Sequence, residues 1–150
     1  QGIEQAYRFY SASGRIPRDS LLNGIEEASA DDQTREPAID IPARVSAAAE
    51  SLDPTAIEIM RLFVRNYARV ASDAALHFLP AAGLFLAGGI VTKNERWFVE
   101  DDRFISMFGR NYRPHIAALL AEIPVYIVKD YAISLYGAAH AAFALTQKDR

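Results

Sequence analysis

Apolar residues recur at three- and four-residue steps through most of this chain, and two short stretches replace that rhythm with continuous apolar runs. Ile3, Ala6, Tyr7 and Tyr10 mark one face of a helix that stops near Ser13-Gly14, so residues 1–14 are expected to be helical. From Arg15 to Pro42 the rhythm fades between Pro17, Gly24, Pro37 and Pro42; this segment reads as irregular and exposed, with room for a short helix over Leu21–Ala28. Residues 43–79 read as helical in two pieces. Ala43 to Leu52 is rich in helix formers, and Ser51-Leu52-Asp53-Pro54 then supplies a stop and a new start, Asp53 capping the free N–H groups and Pro54 standing where its missing donor costs nothing. Beyond it Ile57, Met60, Phe63, Val64, Tyr67, Val70, Ala71, Ala74 and Phe78 keep helical spacing for about seven turns before Pro80, a stripe long enough to require burial.

Residues 80–150 change character. Leu84-Phe85-Leu86-Ala87-Gly88-Gly89-Ile90-Val91 is an apolar strand that stops on two glycines, Thr92–Phe98 reads as a helix with Lys93 near its start, and Pro124-Val125-Tyr126-Ile127-Val128 is a second strand before a final helix around Gly137. Near-continuous apolar strands separated by helices predict an α/β layer whose strands are parallel neighbours covered on both faces. A right-handed crossover would bring both strand ends and the glycine turn to one edge, where ligands of such sheets sit. Without a Cβ, Gly88 and Gly89 are free to take positive φ and to bring their N–H groups close to a phosphate, ribose or base edge; a glycine pair that merely closes a loop is the alternative.

Other polar patterns carry less. Arg61, Arg65 and Arg69 share a helical face with Glu58 and Asp73, which suits a phosphate or acidic partner, a subunit contact, or a solvated face with two flanking ion pairs. Glu100-Asp101-Asp102 reads as a solvated acidic turn, because consecutive carboxylates diverge where a hard cation needs them to converge. His77, His115 and His140 lack metal-ligand spacing. Ser134 has neither nucleophile-elbow glycines nor a visible triad, and Gly137, Ala138, Ala139, Ala141 and Ala142 predict close helix-on-sheet packing.

The order of these elements resembles the last part of the bacterial glucokinases. The resemblance rests on the run at 84–91 with Lys93, Arg103-Phe104 with Met107-Phe108, Ile123-Pro124-Val125-Tyr126, and Leu135-Tyr136-Gly137-Ala138-Ala139, with Gly2-Ile3 and the helix through Tyr10 matching the segment after the family's sugar-contacting part. It implies an α/β chain forming the C-terminal part of an actin-like, ribonuclease H-like hexokinase fold, few parallel strands packed with several helices. It further implies ATP with Mg²⁺ as cofactor, glucose as acceptor in glycolysis, a homodimer, and nucleotide binding at Gly88 and Gly89. The family's Asp-x-Gly-Gly-Thr phosphate loop, its Asn-Asp pair and its Gly-Glu-Gly-Gly-His sugar motif do not occur in residues 1–150. The chain, which begins at Gln1, therefore reads as a piece that supplies the adenosine side, contains no catalytic residue and is inactive alone. A non-catalytic sugar or nucleotide sensor, or a dimerisation module, is the alternative. Ser134 stands where the family has glycine, and Tyr131-Ala132 where it has a loop of Asn and Pro.

Composition narrows the remaining classes. With 150 residues, 51% of them hydrophobic, one core and one domain are expected. A formal net charge of −3 offers no basic field for nucleic acid or anionic lipid. No cysteine is present, which excludes disulfides and thiolate metal sites and suits a reducing compartment, with the cytoplasm expected. No apolar run approaches a membrane span, and nothing at the start reads as a signal peptide.

Overall fold

The computed structural model describes residues 2–25, 40–130 and 132–148, with side chains to 146. The expectation of a short helix over Leu21–Ala28 lies partly outside those residues, as does the reading at Tyr131. Within them the chain forms α1 (Gly2–Ala12), α2 (Ile41–Glu50), α3 (Pro54–Phe78), β1 (Leu84–Leu86), α4 (Gly89–Lys93), α5 (Glu95–Val99), α6 (Arg103–Phe108), α7 (Pro114–Ala121), β2 (Val125–Ile127) and α8 (Ile133–Lys148). This is a helix-rich α/β arrangement. No described helix is long and apolar enough to cross a membrane.

Local chemistry sets the helix ends. Asp40 Oδ1 accepts from Ala43 N–H at 3.1 Å and Pro42 sits in the first turn, so α2 starts two residues before the expected boundary. The Pro42 ring fits there because N–H groups in a first turn have no intrahelical acceptor. Asp53 caps α3 as expected, its Oδ1 accepting from Ala56 N–H at 2.9 Å. Leu79 ends α3 in the left-handed region, at φ 46° and ψ 60°, its N–H returning to the Ala75 carbonyl.

The helix α3 is the axis of the core, touching α1, α2, α5, α6 and α7. Ile59, Met60 and Val64 are fully buried on it, beside Ile3 of α1, Val45 of α2 and Phe108 of α6. A ring chain runs through Phe63, Tyr67, Phe98, Phe104 and Phe108 with successive centroids 5.4–6.2 Å apart. Such pairs each add about 0.5–1.5 kcal/mol beyond the area they bury.

The predicted apolar stripe is buried only in part. Val70 and Phe78 are exposed, while Thr55, Ala56 and Ser72, outside the predicted stripe, are buried. Gly2, the first residue of α1, lies against the Phe63 ring so closely that an added Cβ would stand 3.1 Å from it. Val70 lines an open apolar groove with Gly2 and Ala6 of α1.

The segment 15–25 is irregular, but it is not simply exposed: Leu22 and Ile25 are buried. Ser20 Oγ and Leu21 N–H both donate to Asp53 Oδ2 at 2.8 Å, so the residue that caps α3 also pins this turn.

The two strands pair in parallel, Leu84 opposite Val125, Phe85 opposite Tyr126 and Leu86 opposite Ile127. Both are shorter than predicted, although Val128 N–H still donates to the Leu86 carbonyl at 2.9 Å. Covering of both faces does not hold. Leu84 and Leu86 turn toward the core, whereas Phe85 (59% exposed) and Tyr126 (47%) stack with centroids 5.1 Å apart on an open face. Nor does α8 pack on the sheet: every described side chain from Ile133 to Phe143 and on to Thr146 is exposed, Leu135, Tyr136 and Leu145 included. Small residues permit close packing, but they do not create an opposing surface.

Candidate functional site

Parallel pairing brings the ends of β1 and β2 to one edge, and Gly88 lies two residues past Leu86 at that edge. Gly88 is exposed, with φ 107° and ψ 160°, a region open essentially to glycine alone. A Cβ built on it would meet nothing within 4 Å, so the backbone faces open space. Gly89 differs from the expectation: it is the first residue of α4 and does not take positive φ. The turn needs one left-sided residue, and once Gly88 supplies it the chain enters the helix. The glycine freedom inferred for both residues therefore operates at Gly88.

The helix expected over Thr92–Phe98 starts earlier and is broken. Its first turn is α4, and Asn94 separates it from α5. Lys93 consequently stands at the end of α4, exposed, rather than at a helix start. Asn94 is buried. Its Nδ2 donates to the Ile90 carbonyl at 2.8 Å and its Oδ1 accepts from Ser46 Oγ at 2.7 Å, so the short helix after the glycine corner is tied to α2. A second tie crosses the edge itself, where Lys129 Nζ, just after β2, meets Glu95 Oε1 at 2.8 Å. Arg96 joins α5 to α2 through Glu50 Oε2 at 3.0 Å, and the carboxylates of Glu100 and then Glu50 hold its guanidinium above the usual arginine value. None of these ties was legible in the sequence as a motif. The available signal was Asn94 itself, an amide between the apolar positions Val91 and Trp97.

The remaining candidates do not converge on this edge. Asp101 and Asp102 both adopt left-handed backbone in a 3₁₀ turn, and Asp101 Oδ2 accepts from Arg103 Nη2 at 3.0 Å. Among the described residues no set of His, Asp or Glu side chains is placed to hold a metal ion. His77, His115 and His140 are separately exposed, and Ser134 is exposed on α8. Arg61, Arg65 and Arg69 are exposed along α3, but the two flanking ion pairs, Glu58 with Arg61 and Asp73 with Arg69, do not form. Long exposed side chains gain too little from such pairing to be held in one geometry.

Comparison with known proteins agrees with the order of these elements. A family model described as Glucokinase matches residues 2–145. A glucokinase of Chelativorans sp. is 32% identical over 139 residues, covering 89% of this chain and 39% of the relative. A glucokinase of Sinorhizobium fredii is 39% identical over 115 residues (76% of this chain, 32% of the relative), and one of Nostoc sp. is 36% identical over 99 (66% and 28%). The chain thus spans about a third of the length of these relatives. No solved structure matches it.

Proposed function

This chain belongs to the glucokinase family, and we propose on that premise that it supplies the adenosine side of the ATP site of an enzyme that phosphorylates glucose to glucose 6-phosphate. The observation that carries the reading is Gly88: an exposed backbone corner at the end of parallel β1, with open space where a side chain would begin. A nucleoside needs such a surface. Its base and ribose pack against backbone, and their polar edges meet N–H groups that no side chain screens.

In this reading Gly88 and Gly89 bind. The Asn94–Ser46 and Lys129–Glu95 contacts position them, keeping the strand ends and α4 at one spacing so that the nucleoside loses its freedom against a rigid surface. ATP with Mg²⁺ would supply the transferable phosphoryl group. Phosphoryl transfer also requires an acidic residue at the acceptor hydroxyl and a cradle for the phosphates. The family motifs for both are absent from residues 1–150, so this chain is assigned binding and no turnover. The actin-like fold, the homodimer and the cytoplasmic location belong to the same proposal.

Adenosine, which carries no phosphate, tests the corner directly. Titration calorimetry is expected to give weak binding to the parent chain and at least tenfold weaker binding to Gly88→Val, with a smaller effect for Gly89→Val, whose backbone needs no glycine. Because Gly88→Val also strains the turn, hydrogen exchange on the parent provides a second reading: adenosine should slow exchange over residues 86–92. Equal affinities, or protection elsewhere, would remove the assignment. A coupled glucose-phosphorylation assay should show no activity from the chain alone.

A further inference from the structure

The three-arginine face gains a fourth element of meaning once the chain is folded. Arg65 and Arg69, one turn apart on α3, line an open cleft of about 630 Å³ with Arg110, which follows α6. Asn66, Ser72, Asp73 and Asn111 complete its polar wall, and Tyr112 stands at its margin. Neither Gly88 nor Gly89 belongs to it.

Three guanidiniums face one carboxylate there, and among the described residues none of the three forms an ion pair. Like charges gathered one turn apart repel. Arg8, Arg96 and Arg103 each meet a carboxylate, whereas Arg65, Arg69 and Arg110 share one cleft without doing so. The cleft is a net positive site, three guanidiniums against Asp73, on a chain whose formal net charge is −3. Its neutral groups suit the same ligand. Ser72 lines the cleft wall, and its hydroxyl, open to solvent, has no hydrogen-bond partner among the described residues. Asn111 Oδ1 already accepts from Arg113 N–H at 3.0 Å, which leaves its amide hydrogens to donate.

We propose that the Arg65–Arg69–Arg110 cleft binds a small anion carrying two or more phosphate groups, at a site separate from the glycine corner. Planar guanidiniums match phosphate oxygens bidentately, and three of them on two separate elements around a cleft of this size suit a ligand with several phosphate oxygens spread over more than one group. The volume is in the small-ligand range. The largely polar lining, with Met107 its main apolar member, disfavours an apolar cofactor. A formal net charge of −3 offers no extended basic field for a long polyanion.

Inorganic pyrophosphate is the probe. Calorimetry on the chain should show binding that weakens with added salt, with orthophosphate at least fivefold weaker. Arg69→Gln and Arg110→Gln should each reduce pyrophosphate affinity at least tenfold while leaving the unliganded melting temperature unchanged, since both side chains are exposed. Gly88→Val should leave it unaltered, so that loss of adenosine binding and loss of pyrophosphate binding report on different sites. Hydrogen exchange, which requires no substitution, should show protection by pyrophosphate confined to residues 65–73 and 107–112. Unchanged affinity in the arginine variants, protection outside those segments, or citrate binding as tightly as pyrophosphate would overturn the proposal.

Discussion

The Asp53 carboxylate accepts three hydrogen bonds from two segments far apart in the chain: Ala56 N–H within α3, and Ser20 Oγ and Leu21 N–H in the preceding turn. It is only 5% exposed. Burial by itself pushes its acidity down and its pKa up, but the donors around it outweigh that penalty and hold the carboxyl below the ordinary aspartate value. A depressed folded-state value stabilises the fold above the unfolded carboxyl pKa of about 3.9, and that contribution is lost as pH falls through the folded value. Asp53→Ala removes the cap and leaves buried donors unpaired, which should cost about 2–4 kcal/mol in urea unfolding at pH 7. Asp53→Asn keeps one acceptor oxygen and should cost less. The advantage of the parent over Asp53→Asn should be constant above about pH 5 and shrink below pH 4; a constant difference to pH 3 would refute this account of the carboxylate. The cap was legible from Asp53-Pro54, whereas the bonds to Ser20 and Leu21 were not, because they span more than thirty residues and no local pattern encodes them.

At the scale of elements, β1 depends on a glycine that its own apolar run does not contain. Gly83, at φ 114°, sits where an added Cβ would stand 2.7 Å from the Tyr126 ring and 2.9 Å from the Pro124 carbonyl oxygen. Gly83→Ala should therefore destabilise by about 2–4 kcal/mol, combining overpacking with backbone strain. Gly14→Ala, also at positive φ but with open space around it, should cost about 1 kcal/mol. Thermal melts of the two variants separate the terms, and equal losses would show that the contact with β2 is immaterial. The helix after the glycine corner offers a complementary test. Asn94→Ala deletes the ties to Ile90 and Ser46, and should speed hydrogen exchange over residues 88–93 at least tenfold while α3 keeps its protection. Of the corner itself, the strand, the glycine stop and the parallel partner could be read from the chain; the division of the following helix at Asn94 could not, since it follows from a hydroxyl on α2.

Taken whole, the described molecule has a well-covered half and an uncovered one. The α1, α2, α3 and α6 helices close around Ile3, Val45, Met60 and Phe108, whereas α8 and the Phe85–Tyr126 face of the sheet have nothing against them. Burial and stability go together, because the hydrophobic contribution scales with the apolar area removed from water. Truncation after Asp130 should accordingly change the stability of the chain by less than about 1 kcal/mol, shifting its melting temperature by only a few degrees. A large loss would mean that α8 is held to the body in solution.

What the sequence determined without help are the features that act over a few residues: the cap at Asp53, the helical rhythm of α3, the two apolar strands and the glycine that ends the first of them. Caps, periodicity and φ preference are settled within about one or two turns of chain, so the residues involved are neighbours in the sequence. Only the tertiary structure decided which of those apolar positions are covered, that Val70 and Phe78 are not, how Ser20 and Ser46 reach their carboxylate and amide partners, and which three of the arginines share a cleft. Coverage and convergence depend on where distant elements begin and end, and the side chains of one helix hold no record of the length of its neighbour.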